Sequence, residues 1–225
     1  MARLRLLLGL LGVCGLLMVP CPVGVAQADA GDCPPYCDRI PSSAWIAAPS
    51  IPLYDVYRWP DPAAVAMPTS APRWQFEEQC AVPAGREDPR DYAVAGRAVV
   101  TQPAGEWQLQ IQVLHWRGET WRTGETAMTV LRGATDAIRR CQHTAPGSSP
   151  TITTDLGTGV AAVLSVAGER VLREYLLADP RNGTVVELAM WASSPPRVPW
   201  SARSDVEVLA ALAVPLCTAY IDSCL

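Results

Sequence analysis

The sequence predicts an α+β fold: an antiparallel β-sheet with two helices packed on one face, stapled by disulfides and preceded by a proline-rich N-terminal arm. Three observations lead to this prediction. Runs typical of β-strands follow one another at hairpin spacing, two amphipathic helical segments interrupt them, and six of the eight cysteines remain once a predicted leader is removed. The chain has 225 residues, 49% of them apolar, which is enough to bury a sizeable core.

Residues 1–30 have the features of a secretory signal peptide. Arg3 and Arg5 precede a nearly unbroken apolar run, and the segment closes on alternating small residues of the kind that signal peptidases cleave. A retained membrane anchor is the alternative, although Pro20 and Pro22 interrupt the apolar run. We therefore expect the protein to be secreted or held in the cell envelope, with no stable membrane span after cleavage.

The net charge and the absence of known binding motifs argue against several classes of partner and cofactor. The formal net charge is −4, and all 18 basic residues are arginines that form no basic block, which argues against a nucleic-acid partner. The sequence contains no P-loop and no dinucleotide fingerprint. Cys33 and Cys37 are closely spaced, but no other Cys/His pair at zinc-ligand spacing follows them. We expect no cofactor and no bound metal.

Residues 31–90 are predicted to form an arm that packs on an α+β domain of residues 91–225. Proline is dense in this segment, which excludes long helices and central strands. Trp45, Trp59 and Trp74 indicate that the arm is packed, because a free linker would not carry so much aromatic surface. A short helical turn is expected near residues 61–67.

The domain begins with two β-type runs, residues 92–101 and 106–116. The second run alternates, with Trp107 and its partners at every other position on one face and glutamines such as Gln110 on the other. A period of two with one polar face predicts a half-buried antiparallel strand.

A helix follows, which Thr123 can cap. Its apolar positions recur at helical spacing and lead to Cys141, while Arg139 and Arg140 fall in the last turn, where they oppose the negative end of the helix dipole.

Three further β-type runs and a second helix complete the domain. The runs cover residues 159–167, 170–178 and 184–191 and are separated by turn signals, which predicts a β-meander. Ser204 and Glu207 then form a capping-box pattern that begins a helix through Tyr220, with a kink expected at Pro215. The predicted order is β-β-α-β-β-β-α.

The cysteines of the mature chain are expected to form three disulfides, because exported proteins meet an oxidising environment. We expect Cys80 to pair with Cys141, which joins the end of the arm to the first helix. Cys33 and Cys37 are expected to pair with Cys217 and Cys224 in either arrangement. Each bridge stabilises the fold by about 3–5 kcal/mol.

An exported chain with Cys80, a helix that ends at Cys141 sixty-one positions later, a β-meander and a final amphipathic helix resembles the PknH-like extracellular domain family of mycobacterial secreted proteins, lipoproteins and kinase sensor domains. The likeness covers about residues 75–222. Arginine at every basic position also suits the high-GC coding of actinobacteria. The resemblance implies a disulfide-bonded α/β fold with a ligand-binding cleft. Cys33, Cys37, Cys217 and Cys224 depart from that family's second bridge.

Candidate functional residues are few. There is no G-x-S-x-G elbow, and the adjacent acids Glu77 and Glu78 have the pattern of a solvated surface. His115 fits a packed, hydrogen-bonded position. Tryptophan and arginine alternate at the end of one strand and in the loop that follows it, a combination typical of binding hot spots. The candidate ligand-binding residues are therefore His115, Trp116, Arg117, Trp121 and Arg122.

These observations favour an exported, non-catalytic ligand-binding or sensor-like module of the bacterial cell envelope, with an envelope ligand or protein as its partner. The alternatives are an envelope hydrolase that uses a carboxylate or His115, and a secreted structural protein that docks a partner through its arm.

Overall fold

The computed structural model describes residues 39–83, 85, 87–200 and 203–220, and its centre is a seven-stranded antiparallel sheet. The predicted signal peptide lies outside these residues. The strand order is β1-β2-β3-β7-β6-β5-β4, so the predicted antiparallel α+β class is confirmed. The strands are β1 (Met67–Pro68), β2 (Val94–Val100), β3 (Gln108–His115), β4 (Ser148–Asp155), β5 (Gly159–Val166), β6 (Arg170–Asp179) and β7 (Thr184–Ser193).

Two long helices and three short ones accompany the sheet. They are α1 (Tyr54–Tyr57), α2 (Pro62–Val65), α3 (Gln75–Gln79), α4 (Thr120–Thr144) and α5 (Asp205–Ala219). Short 3-10 turns cover Ser42–Ala44, Ala48–Ser50 and Pro89–Tyr92. No helix within the described ranges combines the length and apolar character that a membrane span requires.

The sheet is covered on both faces, so the prediction that both helices lie on one face is wrong. Leu176 and Leu177 are neighbours on β6, point to opposite faces and are both buried. One face, which we call the α4 face, packs against α4, whereas the other, the α5 face, packs against α5 and the arm. The physical reason is that the central strands carry apolar side chains at successive positions, and each face must be shielded from water.

The described part of the arm packs on both faces. Trp45, Ile51 and Trp59 join the core of the α5 face, whereas Trp74 and Phe76 join the core of the α4 face. The arm also adds β1 to the sheet beside β2 and forms α2 within the segment where a helical turn was predicted.

The disulfide between Cys80 and Cys141 is present, as predicted. Cys80 is the C-cap of α3 and Cys141 lies in the last turn of α4, so the bond joins the ends of two helices on the α4 face. Cys217 is also disulfide-bonded. Cys33, Cys37 and Cys224 lie outside the described residues, and their pairing stays a prediction.

Several local predictions need correction. The predicted order has no strand between the first helix and the meander, but Ser148–Asp155 form the edge strand β4, in which exposed threonines and Pro150 mask the β pattern. Helix α4 begins at Thr120, so Thr123 lies inside the first turn, where its hydroxyl donates to backbone carbonyl oxygens. The capping box of Ser204 and Glu207 at α5 is confirmed.

Helix α4 approaches the β6–β7 turn closely at Gly124. A Cβ atom at this position would lie 2.1 Å from the carbonyl oxygen of Pro180, which is a backbone atom and cannot rotate away. Gly183, in the same turn, has a φ of +64° and lies directly against Thr123. The two glycines let the helix rest on the turn without a side chain between them.

This contact yields a test of the packing on the α4 face. Gly124→Ala should lower the free energy of unfolding by about 2 kcal/mol or more, because the helix must move away from Pro180. Gly133→Ala, on the same helix with no atom near its Cβ position, should raise it by about 0.5–1 kcal/mol. Urea unfolding of both variants measures the difference, and equal effects would contradict the close approach.

Candidate functional site

The five residues proposed for ligand binding do not form one site. His115 and Trp116 are adjacent at the end of β3, so their side chains point to opposite sides, and both are buried. The indole of Trp116 donates to the carbonyl oxygen of Pro89. Trp121 is 64% exposed at the start of α4, and the guanidinium of Arg122 lies 4.9 Å from the centre of its ring. Arg117 is exposed in the loop before α4.

His115 is held in the core of the α5 face. Its imidazole stacks on the ring of Tyr220, with 4.4 Å between the ring centres, and its Nδ1 atom is 3.0 Å from the hydroxyl of Thr184. Burial lowers the pKa of His115 to about 4, so the imidazole is neutral at physiological pH. This arrangement stabilises the join between α5 and the sheet.

The buried imidazole makes the stability of the protein depend on pH. Below about pH 6.5 the unfolded chain gains a proton that the folded chain takes up only near pH 4, so the free energy of unfolding falls as pH drops through this window. The loss amounts to about 3 kcal/mol. His115→Phe should remove this slope, whereas His143→Phe, at an exposed position of α4, should keep it. Urea unfolding between pH 4 and 7.5 measures both slopes.

A groove lies between the arm and the edge of the sheet, and we call it the edge groove. Its volume is about 390 Å³. Residues 39–45 of the arm contribute one wall, and the segment of α2 and β1 together with β2 contributes the other. The lining residues are Arg39, Ile40, Pro41, Ser42, Trp45, Ala63, Ala66, Met67, Pro68, Ala95 and Gly96.

The edge groove combines an apolar body with one cation. The ring of Trp45 packs directly on β2 because Gly96 has no side chain, and a Cβ atom there would lie 3.0 Å from the ring. Arg39 stands at the groove, and no described side chain pairs with it. The groove can therefore hold an apolar group against Trp45 and an anionic group against Arg39.

A second unusual feature is a pair of buried carboxyl groups on the α4 face, Glu174 on β6 and Glu187 on β7. Glu174 lies opposite Ala189 and Glu187 opposite Leu176, so the two glutamates are diagonal neighbours on the same face. Both are 0% exposed. We call them the glutamate pair.

The N-terminal end of α3 covers the glutamate pair. The backbone amide of Gln75 and the side-chain amide of Gln110 both donate to Glu187, the latter over 2.8 Å. Neither oxygen of Glu174 has a hydrogen-bond donor in the described part of the chain. Glu187 therefore has hydrogen-bond donors within the described part of the protein, whereas Glu174 has none there.

Burial raises the pKa of Glu174 well above its ordinary value, and the charges of Glu187 and Glu77 raise it further. Burial also raises the pKa of Glu187, although hydrogen bonds from Glu174, Gln75 and Gln110 oppose that effect. When Glu174 holds a proton, its hydroxyl can donate a hydrogen bond to Glu187. The two carboxyl groups then share one proton and carry one negative charge in total.

A network of ion pairs surrounds the same end of α3. Glu77 accepts hydrogen bonds from Arg90 at both carboxylate oxygens and from the amide of Trp74. Arg73 lies 2.9 Å from Glu77, and Asp88 lies 2.6 Å from Arg90. The network joins α3 to the 3-10 turn at Pro89–Tyr92.

The sequence analysis missed this cluster. Glu77 and Glu78 were interpreted as a solvated surface, but Glu77 is buried and only Glu78 is exposed. The glutamines of β3 were assigned to a polar, water-facing side, yet Gln110 and Gln112 are buried beneath the arm. The period of the strand could have predicted the burial of Glu174, because this residue shares its face with Leu172 and Leu176, both of which are buried.

The raised pKa of Glu174 has an effect on stability opposite to that of His115. The folded carboxyl keeps its proton above the pH at which the unfolded one loses it, so the free energy of unfolding falls as pH rises above about 4.5. Glu174→Gln should match the wild type near pH 4 and become increasingly more stable than it toward pH 8. Glu78→Gln, at an exposed position, should follow the wild type at every pH. Urea unfolding measures the difference, and parallel curves for the two variants would contradict the assignment.

No group of three or more His, Cys, Asp or Glu side chains in the described ranges is arranged to hold a metal ion. Comparisons with protein-family models, with curated proteins and with solved structures return no match for this chain. The resemblance to the PknH-like extracellular domain family therefore stays a prediction.

Proposed function

We propose that the protein is an exported, non-catalytic binding module of the bacterial cell envelope and that its ligand occupies the edge groove. The observation that carries the proposal is the groove itself: about 390 Å³, with apolar walls and one arginine, Arg39, which pairs with no side chain in the described part of the chain. Export is supported by the predicted signal peptide and by the disulfide between Cys80 and Cys141.

The lining of the edge groove indicates the class of ligand. Trp45 adds aromatic surface to the lining, while Ala63, Ala66 and Met67 add aliphatic surface. Arg39 can neutralise an acidic group, and Ser42 can donate to it. The ligand is therefore a small amphipathic molecule with an apolar body and an acidic head.

The structure of the groove favours binding over catalysis at this place. None of the described groups whose pKa is strongly shifted lines the groove; His115 and Glu174, for example, lie in the two cores. A hydrolase would place such a group against its substrate. The groove offers instead contact area and one charge.

The test uses two fluorescent naphthalene probes as stand-ins for the ligand. Anilinonaphthalene sulfonate carries an apolar body and an anionic head, and N-phenylnaphthylamine has a similar body without charge. Both should bind the oxidised, signal-cleaved chain. Arg39→Gln should weaken the sulfonate about tenfold and leave the uncharged probe unchanged, because only the sulfonate uses the guanidinium.

The matched variants are at the C-terminal end of α2, where Ala66 is the C-cap. Ala66 lines the edge groove, and Ala64, two residues away, is exposed outside it. Ala66→Trp should fill the groove and weaken both probes tenfold or more, whereas Ala64→Trp should change binding less than twofold. Equal effects of the two substitutions, or no effect of either, would overturn the proposal. Mass spectrometry of small molecules that copurify with the wild type but not with Ala66→Trp then identifies the natural ligand.

A further inference from the structure

The glutamate pair lies apart from the edge groove and takes no part in the proposed function. Replacement of two buried charges by apolar residues is commonly neutral or stabilising, so a stable fold does not require them. Here the pair is placed on the two central strands β6 and β7, under a helix that contacts it through its first amides. The question is what this contact does.

Helix α3 is attached differently at its two ends. At its C-terminal end Cys80 is covalently bound to Cys141, and the carbonyl oxygen of Cys80 accepts a hydrogen bond from Thr144. At its N-terminal end the amide of Gln75 donates to Glu187. The C-terminal end cannot leave α4, whereas the N-terminal end is held by noncovalent contacts: hydrogen bonds, the ion pairs of Glu77 and the packing of Trp74 and Phe76.

The charges that face the glutamate pair do not neutralise it. On α3 the nearest acid is Glu77, which raises the pKa of Glu174, and the amide of Phe76 has a smaller effect in the opposite direction. From β2, Arg97 acts on Glu187, but its guanidinium is bonded to Gln112 and to the carbonyl oxygen of Arg73. The cations Arg73 and Arg90 are engaged by Glu77, and Arg90 also by Asp88.

We propose that the glutamate pair is a binding site for one proton and that this proton holds the N-terminal end of α3 on the sheet. With the proton present, Glu174 donates to Glu187, and Glu187 accepts from Gln75. When the proton leaves, two carboxylates repel each other in a site that is shielded from solvent. The N-terminal end of α3 then lifts, water reaches the pair, and the disulfide retains the other end as a hinge.

The movement changes a surface that a partner can contact. A hollow over α3 is lined by Arg73, Trp74, Gln75, Glu77, Glu78, Ala81, Val82, Arg97 and Gln110. Gln75 and Gln110, which line this hollow, both donate hydrogen bonds to Glu187, so the hollow lies directly beside the glutamate pair. The protonated state keeps the hollow closed to the pair, and the deprotonated state connects them.

The experiment is hydrogen exchange by mass spectrometry on the full oxidised chain between pH 5 and 10, with each rate divided by the intrinsic rate at that pH. In the wild type the protection of amides 76–80 should fall about tenfold per pH unit from the low end of the range and level off once the pair has lost its proton, because opening releases one proton only while the closed state holds it. The protection of β6 and β7, which exchange only when the whole chain unfolds, should stay higher than that of α3 at every pH.

Glu174→Gln is the decisive variant, because its amide donates to Glu187 at every pH. Its protection at residues 76–80 should change less than twofold across the range, and Glu78→Gln should behave as the wild type does. A flat wild-type profile, the same fall in Glu174→Gln, or a protection of α3 as high as that of the sheet would each overturn the proposal.

A second measurement keeps the test decisive if Glu174→Gln folds poorly. Carbon-13 NMR of the glutamate carboxyl groups in the wild type should show one proton lost well above the ordinary range of glutamate, with its midpoint at the pH where the fall in α3 protection levels off. Two glutamates that titrate near pH 4, or a midpoint unrelated to the exchange data, would contradict the shared proton.

Discussion

The structure depends on one constraint: the central strands of the sheet are apolar on both faces. Leu176 and Leu177 illustrate it on β6, because neighbouring side chains point in opposite directions and both must be removed from water. One amphipathic helix cannot meet this demand, so α4 covers one face and α5 the other. The proline-rich arm is part of the same solution, since Trp45 and Trp59 fill area on the α5 face that α5 leaves open.

Coverage of the second face places polar side chains in a dry environment. The α4 face carries four polar side chains that would be exposed to water in an isolated sheet: Gln110, Gln112, Glu174 and Glu187. Buried polar groups need partners, and the segment around α3 supplies them through the amide of Gln75 and the ion pairs of Glu77. The disulfide to α4 fixes this segment in place, so the arm, the bridge and the polar cluster form one structural unit.

The sequence predicted what depends on local chemistry and failed where distant segments meet. Period-two alternation located β2, β3 and the meander of β5 to β7, and the pattern of Ser204 and Glu207 located the start of α5. The burial of Gln110 could not be predicted, because it results from a helix that is distant in the chain. The edge groove likewise forms where Arg39, Ala66 and Gly96 come together from three elements. Glu174 was within reach of prediction, since an acid in phase with Leu172 and Leu176 breaks the apolar face.

The two unusual places of the molecule differ in what burial does to charge. At the edge groove, Arg39 is exposed, so an acidic ligand can bind to its guanidinium directly. At the glutamate pair, burial makes charge expensive, and the energy of the site changes with a single proton. Such a site is poorly suited to strengthen a fold, because two apolar side chains on β6 and β7 would pack there without needing donors. It is well suited to make the attachment of α3 conditional, since the same carboxyl oxygens that accept its amide also hold the proton.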